Sequence, residues 1–85
     1  MSYSLIFDDK ALDFLASLEK RLRERIYSKL EDSKENPHHF FTRLTGRDDY
    51  KLRIGDYRVV ADINETEKRI EVTFIDHRKR VYKRR

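Results

Sequence analysis

Residues 50–60, with the sequence YKLRIGDYRVV, decide how the second half of this chain folds. Gly55-Asp56 separates two runs in which apolar and polar residues alternate. Glycine at the first central position is typical of a type II′ turn, because glycine adopts a positive φ without strain. The stretch therefore predicts a β-hairpin with strands at residues 50–54 and 57–63.

The register of this hairpin divides its side chains between two faces. Pairing of Ile54 with Tyr57 places Arg53 directly opposite Arg58, because opposed residues of an antiparallel pair point to the same face. The apolar face carries Tyr50, Leu52, Ile54, Tyr57, Val59 and Ala61, and the other face carries Lys51, Arg53 and Arg58. Two opposed arginines repel each other, so we expect an anionic ligand on the cationic face.

The composition is that of a small, highly charged chain. Its 85 residues suffice for one domain with a modest core, and 42% of them are charged. No apolar run is long enough to span a membrane and no secretory signal pattern is present, so we expect a cytoplasmic protein without membrane contact. The absence of cysteine excludes disulfides, thiolate nucleophiles and cysteine-ligated metals.

The positive charge is concentrated in the second half of the sequence. Residues 1–36 hold seven Lys/Arg and eight Asp/Glu, whereas residues 37–85 hold thirteen and eight. The last nine residues, HRKRVYKRR, contain six cations and no acid. Such a surface attracts polyanions, of which phosphate is the usual one. Solubility or a hot habitat would also explain the high charge, but the opposed arginines favour a functional role.

Residues 3–36 predict a strand followed by two helices. Apolar and polar side chains alternate within residues 3–7, and Asp8 or Asp9 is suited to cap a following helix. Leucine and isoleucine then recur at helical spacing in the next 27 or so residues. One helix of this length would be unusual in a small domain, so we expect a break near residues 17–20.

Asn36-Pro37 ends the helical region, since a residue that precedes proline disfavours helical angles. The segment that follows predicts a loop up to the hairpin, with Phe40, Phe41 and Leu44 packed on the core. His38 and His39 lie side by side without a third ligand at suitable spacing, so we interpret them as surface residues and expect neither a metal nor a cofactor.

Residues 69–77, RIEVTFIDH, predict the last strand. Strict alternation turns Ile70, Val72 and Phe74 inward, and Glu71, Thr73, Ile75 and His77 outward. His77 then shares the face of the arginines, provided that no bulge intervenes. The predicted fold is α+β: an N-terminal strand, a two-helix hairpin on one face of an antiparallel sheet, and a three-strand meander that completes the sheet.

Four segments of the chain resemble the RelE/ParE toxin superfamily, and more closely its RelE-type branch: YSLIFDDKALDFL at the start, NPHHFFTRLTG, YKLRIGDYRVVADI and the late HRKRVY. The core LRIGDYRVV is the most specific of them, and together they cover almost the whole chain. The resemblance implies one RelE-like, microbial-RNase-like toxin domain over residues 1–85, of which residues 77–85 form a basic C-terminal tail.

The resemblance also implies a function. Toxins of this kind belong to type II toxin–antitoxin systems and cleave messenger RNA in the ribosomal A site. The implied partners are the ribosome, the message and a RelB-like antitoxin protein that wraps the toxin and holds it inactive. We expect the free toxin to be a monomer and its complex with the antitoxin to be a hetero-oligomer.

The resemblance implies five candidate catalytic residues, Lys51, Arg53, Arg58, Arg78 and Tyr82, and the chemistry of RNA cleavage adds His77. RNA can be cleaved without a metal by its own 2′-OH, which requires a base, charge stabilisation at phosphorus and a proton for the leaving 5′-oxygen. Arg53 and Arg58 suit charge stabilisation. Crowded cations favour the neutral form of a neighbouring amine or imidazole, so the base is Lys51 or His77. Arg78 or His77 serves the leaving group.

The late tyrosine and the remaining cations have more than one interpretation. Tyr82 either stacks on a base or orients the 2′-OH, or else its ring covers the edge of the core. His77 is alternatively a solvent-facing histidine at a strand end. A second set of cations is predicted to bind RNA backbone, namely Arg43, Arg47, Lys79, Arg80, Lys83 and Arg84. For the tail, a frayed charged terminus is the alternative.

Two other functions stay open from the sequence alone. One is a non-enzymatic toxin of the ParE type that shares the fold and poisons DNA gyrase. The other is an RNA-binding domain without catalytic activity. The clustered cations favour the endoribonuclease, because a gyrase-binding protein has no evident need for cations opposed across a sheet.

Overall fold

The computed structural model describes residues 2–77. Its elements, in chain order, are β1 (Ser4–Phe7), α1 (Asp9–Ala16), α2 (Lys20–Ser33), α3 (Pro37–Phe40), β2 (Thr42–Arg43), β3 (Tyr50–Ile54), β4 (Tyr57–Asn64) and β5 (Arg69–His77). The five strands form one sheet in the order β1-β5-β4-β3-β2. Each described helix is too short or too polar to serve as a membrane-spanning segment.

The predicted α+β architecture is confirmed, but the sheet gains one strand, β2, and is not wholly antiparallel. β1 runs parallel to β5, with Leu5 beside Ile70, so the sheet is mixed rather than wholly antiparallel. The segment predicted as a loop contains the single turn α3, which begins at Pro37, and the short strand β2. β2 pairs antiparallel with the first two residues of β3, so it extends the sheet at that edge.

The predicted break between the helices is confirmed, and Arg23 stabilises it. The Arg23 guanidinium donates to the carbonyl oxygen of Leu18 at 2.9 Å and to that of Leu15 at 3.4 Å. These contacts add a donor to the Leu15 carbonyl, which also accepts from the Leu18 N–H at 3.1 Å, and one to the Leu18 carbonyl in the link between the helices. Asp8 occupies the N-cap position of α1 in an extended conformation, but its side chain makes no capping hydrogen bond.

The helices and one face of the sheet share a single apolar core. Its helical members include Ala11 and Leu15 of α1 and Ile26 and Leu30 of α2, all at most 1% exposed. The sheet contributes Leu52, Ile54, Val59, Ala61, Ile70, Val72 and Ile75. The apolar face predicted for the hairpin is therefore the face that the helices cover. We call the opposite face of the sheet the open face.

The hairpin has the predicted register. Leu52 pairs with Val59 and Arg53 pairs with Arg58. Gly55 has φ 61°, and Asp56 is not among the described residues with a positive φ, which is the sign pattern of a type II′ turn. A Cβ at Gly55 would lie 3.1 Å from an Nη atom of Arg25, so glycine also permits α2 to approach the turn closely.

A β-bulge at Thr73 changes which residues of β5 face the core. Val60 pairs with Phe74, whereas the next residue of β4, Ala61, pairs with Val72, so Thr73 is an extra residue on β5. The prediction that Phe74 points inward and Ile75 outward is wrong, because the bulge reverses the alternation beyond Thr73. Phe74 is 43% exposed on the open face and Ile75 is 3% exposed.

The same reversal moves His77 away from the open face. The His77 ring packs edge-on against that of Tyr57, with centroids 4.8 Å apart. Both residues line a cavity of about 270 Å³ with Phe14, Ser17 and Leu18 of the helical layer. The prediction that His77 shares a face with the arginines depended on an unbroken alternation and is wrong for that reason.

Because of the bulge, truncation of two neighbouring residues is expected to lower the free energy of unfolding by unequal amounts. Ile75→Ala is expected to lower the free energy of unfolding by about 2–4 kcal/mol, because it leaves a cavity in the core. Phe74→Ala is expected to cost less than about 1 kcal/mol, because the residue is 43% exposed on the open face and its truncation leaves no enclosed cavity. Urea denaturation of both variants measures the difference, and the reverse order would show that β5 alternates without a bulge.

Candidate nucleic-acid interface

Three predicted site residues come together on the open face. Arg53 of β3 pairs with Arg58 of β4, and Arg58 pairs with Asp76 of β5. Arg53, Arg58 and Asp76 form a line across the sheet, which we call the arginine row. The neighbouring line holds Thr42, Lys51, Val60 and Phe74. The structure therefore places Lys51, Arg53 and Arg58 on one face, as the hairpin register predicts.

Asp76 is a member of this site that the sequence pattern did not reveal. The Arg58 guanidinium donates from Nη2 to Oδ2 of Asp76 at 3.0 Å and from Nε to Oδ1 at 3.4 Å. This two-point contact fixes the plane of the guanidinium and offsets part of its repulsion with Arg53. Strict alternation turns Asp76 into the apolar core, and a carboxylate in that place is itself the signal of a bulge.

No carboxylate of the described residues neutralises the charge of Lys51 or Arg53. Within residues 2–77, neither side chain has a recorded ion pair or side-chain hydrogen bond. The Arg58 side chain is 42% exposed despite its contact with Asp76. The open face thus presents one guanidinium held in a fixed orientation beside one guanidinium and one ammonium group without partners.

Two other predicted binding residues, Arg43 and Arg47, are not brought to the arginine row. Arg43 pairs with Tyr50 in the sheet, on the side away from Lys51, and its guanidinium contacts Asp48 at 3.1 Å. Arg47 contacts Asp49 at 2.7 Å in the loop before β3. The predictions for the tail fall on residues outside the described part of the chain: Arg78, Lys79, Arg80, Tyr82, Lys83 and Arg84.

The two adjacent histidines have structural contacts. His38 pairs with Glu65, and its ring packs edge-on against Tyr50 with centroids 5.4 Å apart. Hydrogen bonds from Tyr3 and His38 lower the pKa of Glu65, and the bond to Glu65 raises the pKa of Tyr3. The described residues contain no group of three His, Asp or Glu side chains that could hold a metal ion.

The end of the open face away from the hairpin turn is acidic. Asp62 of β4 lies directly opposite Glu71 of β5. Burial, together with the charges of Asp49 and Glu71, raises the pKa of Asp62. Among the described residues, the open face therefore has Asp62 and Glu71 at one end, where Arg69 pairs with Glu71, and cations without ion pairs at the other. An anionic ligand is directed to the end with the arginine row.

Removal of the Asp62 charge is expected to stabilise the fold in a pH-dependent manner. Because its pKa is raised in the folded state, the folded protein binds more protons, and stability falls as pH rises from about 3.8, the ordinary value, through the raised value. Asp62→Asn should therefore raise the free energy of unfolding at pH 7 by roughly 0.2–1 kcal/mol. The gain should vanish near pH 3, where both proteins are neutral at this position.

Urea denaturation at the two pH values measures this effect. Asp76→Asn is the matched control, since it removes a carboxylate of the same face that has an ion pair and should change stability in the opposite direction at pH 7. A loss of stability in Asp62→Asn at pH 7 would contradict the assigned repulsion.

Comparison with known proteins identifies the family. Residues 5–82 match a family model described as the ParE toxin of the type II toxin–antitoxin system parDE. The chain belongs to this family. No curated protein sequence matches it. The chain is thus a toxin of the RelE/ParE superfamily, which confirms the resemblance seen in the sequence.

Solved structures of RelE toxins share the fold of this ParE-family toxin. The Mycobacterium tuberculosis RelBE2 toxin–antitoxin complex has a chain with TM-score 0.81 and 21% identity, covering 92% of this chain and 100% of that chain. The intact RelBE toxin–antitoxin complex of E. coli gives 0.78 and 27%, with coverage of 89% and 96%. The archaeal RelE–RelB complex of Pyrococcus horikoshii OT3 gives 0.76 and 28%, with coverage of 94% and 99%.

Proposed function

We propose that this toxin is a metal-independent endoribonuclease that cleaves messenger RNA in the A site of the ribosome and so inhibits translation. The observation that carries the proposal is the arginine row. Arg58 is oriented by Asp76 and lies opposite Arg53, which has no ion pair within residues 2–77, on an exposed sheet face. Paired guanidinium forks bind phosphate oxygens at fixed geometry and keep their charge at any physiological pH.

The proposed reaction is attack of a 2′-OH on the adjacent phosphorus. The new bond forms a 2′,3′-cyclic phosphate as the bond to the 5′-oxygen breaks. Arg53 and Arg58 stabilise the negative charge of the phosphorane, which is where preorganised donors contribute most. Lys51, in the neighbouring line of the open face, takes the 2′-OH proton as a neutral amine and becomes an ammonium group in that step. His77 is the weaker candidate for this role, because its ring lies on the helix side of the sheet.

The leaving group and the bases of the message need further contacts. We propose that Arg78 stabilises or protonates the leaving 5′-oxygen and that Tyr82 stacks on a base or orients the 2′-OH. Phe74 adds an exposed aromatic ring on the open face, two residues from Asp76. Unstacked RNA bases pack on such rings, so Phe74 is a candidate for base contact beside the arginine row.

The proposed partners follow from the relatives. The similar structures from M. tuberculosis, E. coli and P. horikoshii are described as toxin–antitoxin or RelE–RelB complexes. We propose a RelB-like antitoxin that holds this toxin inactive in a hetero-oligomer, with the free toxin a cytoplasmic monomer that acts on the ribosome and its message. The single toxin domain is proposed to span residues 1–85, with residues 77–85 as a basic tail that contacts RNA backbone.

The match to the ParE family favours a second candidate function. Residues 5–82 match a family described by the name ParE, and a ParE-type toxin would inhibit DNA gyrase without nuclease activity. The two candidates differ in what the arginine row does. It binds a scissile phosphate in the first, and it has no assigned role in the second.

Cleavage of a translated message tests the first candidate. In a cell-free translation system, primer extension should reveal cuts within codons that require ribosomes. Arg58→Ala should reduce the cutting rate about a hundredfold or more, the usual size of electrostatic stabilisation of a transition state. The measurement compares cut product over time for wild type and variant at equal toxin concentration.

Arg69→Ala is the matched control for this experiment. Arg69 also contacts a carboxylate, with its Nε 3.0 Å from Glu71, but it lies on β5 far from the hairpin turn. Its truncation should leave cutting unchanged. Inhibited growth with an intact message and inhibited gyrase supercoiling would overturn the endoribonuclease in favour of the ParE-type function. Equal loss in both arginine variants would remove the arginine row from the mechanism.

A further inference from the structure

A cationic cleft lies where α2 approaches the turn of the β3–β4 hairpin. It has a volume of about 450 Å³ and is lined by Arg25, Ser28, Lys29, Asp32, Arg53, Ile54 and Gly55. We call it the α2 cleft. β2 pairs only with Tyr50 and Lys51, so the rest of β3 lies at the edge of the sheet. Arg53 therefore belongs both to the arginine row and to the cleft, which continues the row around the edge.

The cations of the α2 cleft form no ion pair with a carboxylate of residues 2–77. In the described part of the chain, neither Arg25 nor Arg53 has a recorded ion pair, and Lys29 contacts only the ring of Phe40, 5.9 Å from its centroid. Among residues 2–77, four other arginines are ion-paired, namely Arg43, Arg47, Arg58 and Arg69. Asp32 is the single carboxylate among the lining residues, so the lining carries two excess positive charges.

The cleft is also shaped in advance for an anion. Arg25 and Lys29 are one helical turn apart and so lie on the same side of α2. The guanidinium of Arg25 packs against the backbone at Gly55, where a Cβ would be 3.1 Å away. The hydroxyl of Ser28 adds a neutral donor between them. Two guanidinium groups, one ammonium group and one hydroxyl thus converge on a space large enough for a phosphate and part of its nucleotide.

We propose that the α2 cleft is a second phosphate-binding site, which holds a backbone phosphate of the single-stranded RNA whose scissile phosphate lies on the arginine row. The inference rests on the proposed endoribonuclease function and extends it. RNA leaves the open face over the unpaired edge of β3, where Arg53 contacts it, and enters the cleft beside α2. The continuity of the cleft with the arginine row favours RNA over an acidic protein segment as the occupant.

Binding of a fluorescein-labelled, 2′-O-methylated oligouridylate of twelve nucleotides tests this proposal. The modification removes the nucleophile, so binding is measured without cleavage by fluorescence anisotropy over a range of salt concentrations. The double variant Arg25→Ala with Lys29→Ala should bind roughly 10- to 100-fold more weakly at low salt. Its slope of log K against log salt should be shallower by about 0.7–1.4, the contribution of one or two phosphates of a single strand.

Two further variants separate the cleft from general charge and from misfolding. The double variant Lys10→Ala with Arg21→Ala removes two exposed cations outside the cleft and should keep most of the affinity and the slope. Asp32→Asn removes the carboxylate of the cleft and should tighten binding severalfold. Because this second change predicts a gain, loss of structure cannot produce it.

An unchanged slope in the Arg25 and Lys29 variant, or no gain in Asp32→Asn, overturns the second site. Equal binding of a twelve-residue oligoglutamate with the same dependence on Arg25 and Lys29 also overturns it, in favour of an acidic protein segment. If messages are never cut but the salt dependence of RNA binding changes in the Arg25 and Lys29 variant, the cleft is an RNA-binding site and only the proposed endoribonuclease activity is overturned. If messages are cut but the slope does not change, only the cleft fails.

Discussion

Strand β4 pairs with β5 along its whole length and with β3 from Tyr57 to Ala61, and both faces of this protein depend on that pairing. Val59 and Ala61 of β4 are fully buried beneath the helices. Arg58, the residue before Val59, lies on the open face. Because side chains alternate along a strand, the burial of the first set forces the second set onto the open face. The apolar core and the cationic surface are two results of one register. A change that shifts β4 by one residue would exchange them.

The parts that the sequence predicts well are those in which short-range chemistry determines the structure. The hairpin register follows from Gly55-Asp56, because a two-residue turn leaves no freedom in which residues oppose each other. The opposition of Arg53 and Arg58 is therefore readable from the printed sequence, as is the apolar face that the helices cover. The break between α1 and α2 is predicted from length alone, and the contacts of Arg23 with carbonyls at the end of α1 explain where it falls.

The parts that the sequence pattern misses depend on pairing between distant segments. The extra residue at Thr73 is signalled in the sequence only by Asp76, a carboxylate where strict alternation predicts a core residue. The bulge brings Asp76 to Arg58 and moves His77 to the helix side. The hydroxyl of Thr73 donates to the carbonyl of Val60 at 3.3 Å, which lowers the cost of the irregularity. Likewise, β2 has only two residues, too few to show a periodic pattern, and it forms by pairing with β3 at the edge of the sheet. The α2 cleft joins residues nearly thirty positions apart and has no local motif.

Arg53 stands where the open face meets the α2 cleft, and this position makes the two surfaces thermodynamically dependent on each other. One guanidinium has five N–H donors, which suffices to contact two anionic groups at once but leaves fewer for each. Occupancy of one surface then changes the free energy of occupying the other, with a sign set by whether the donors are shared or contested. The energetic effects of changes on the two surfaces should therefore not simply add, because both pass through the same side chain. If RNA occupies both surfaces as proposed, the shared side chain of Arg53 at the sheet edge combines recognition and reaction within one small domain.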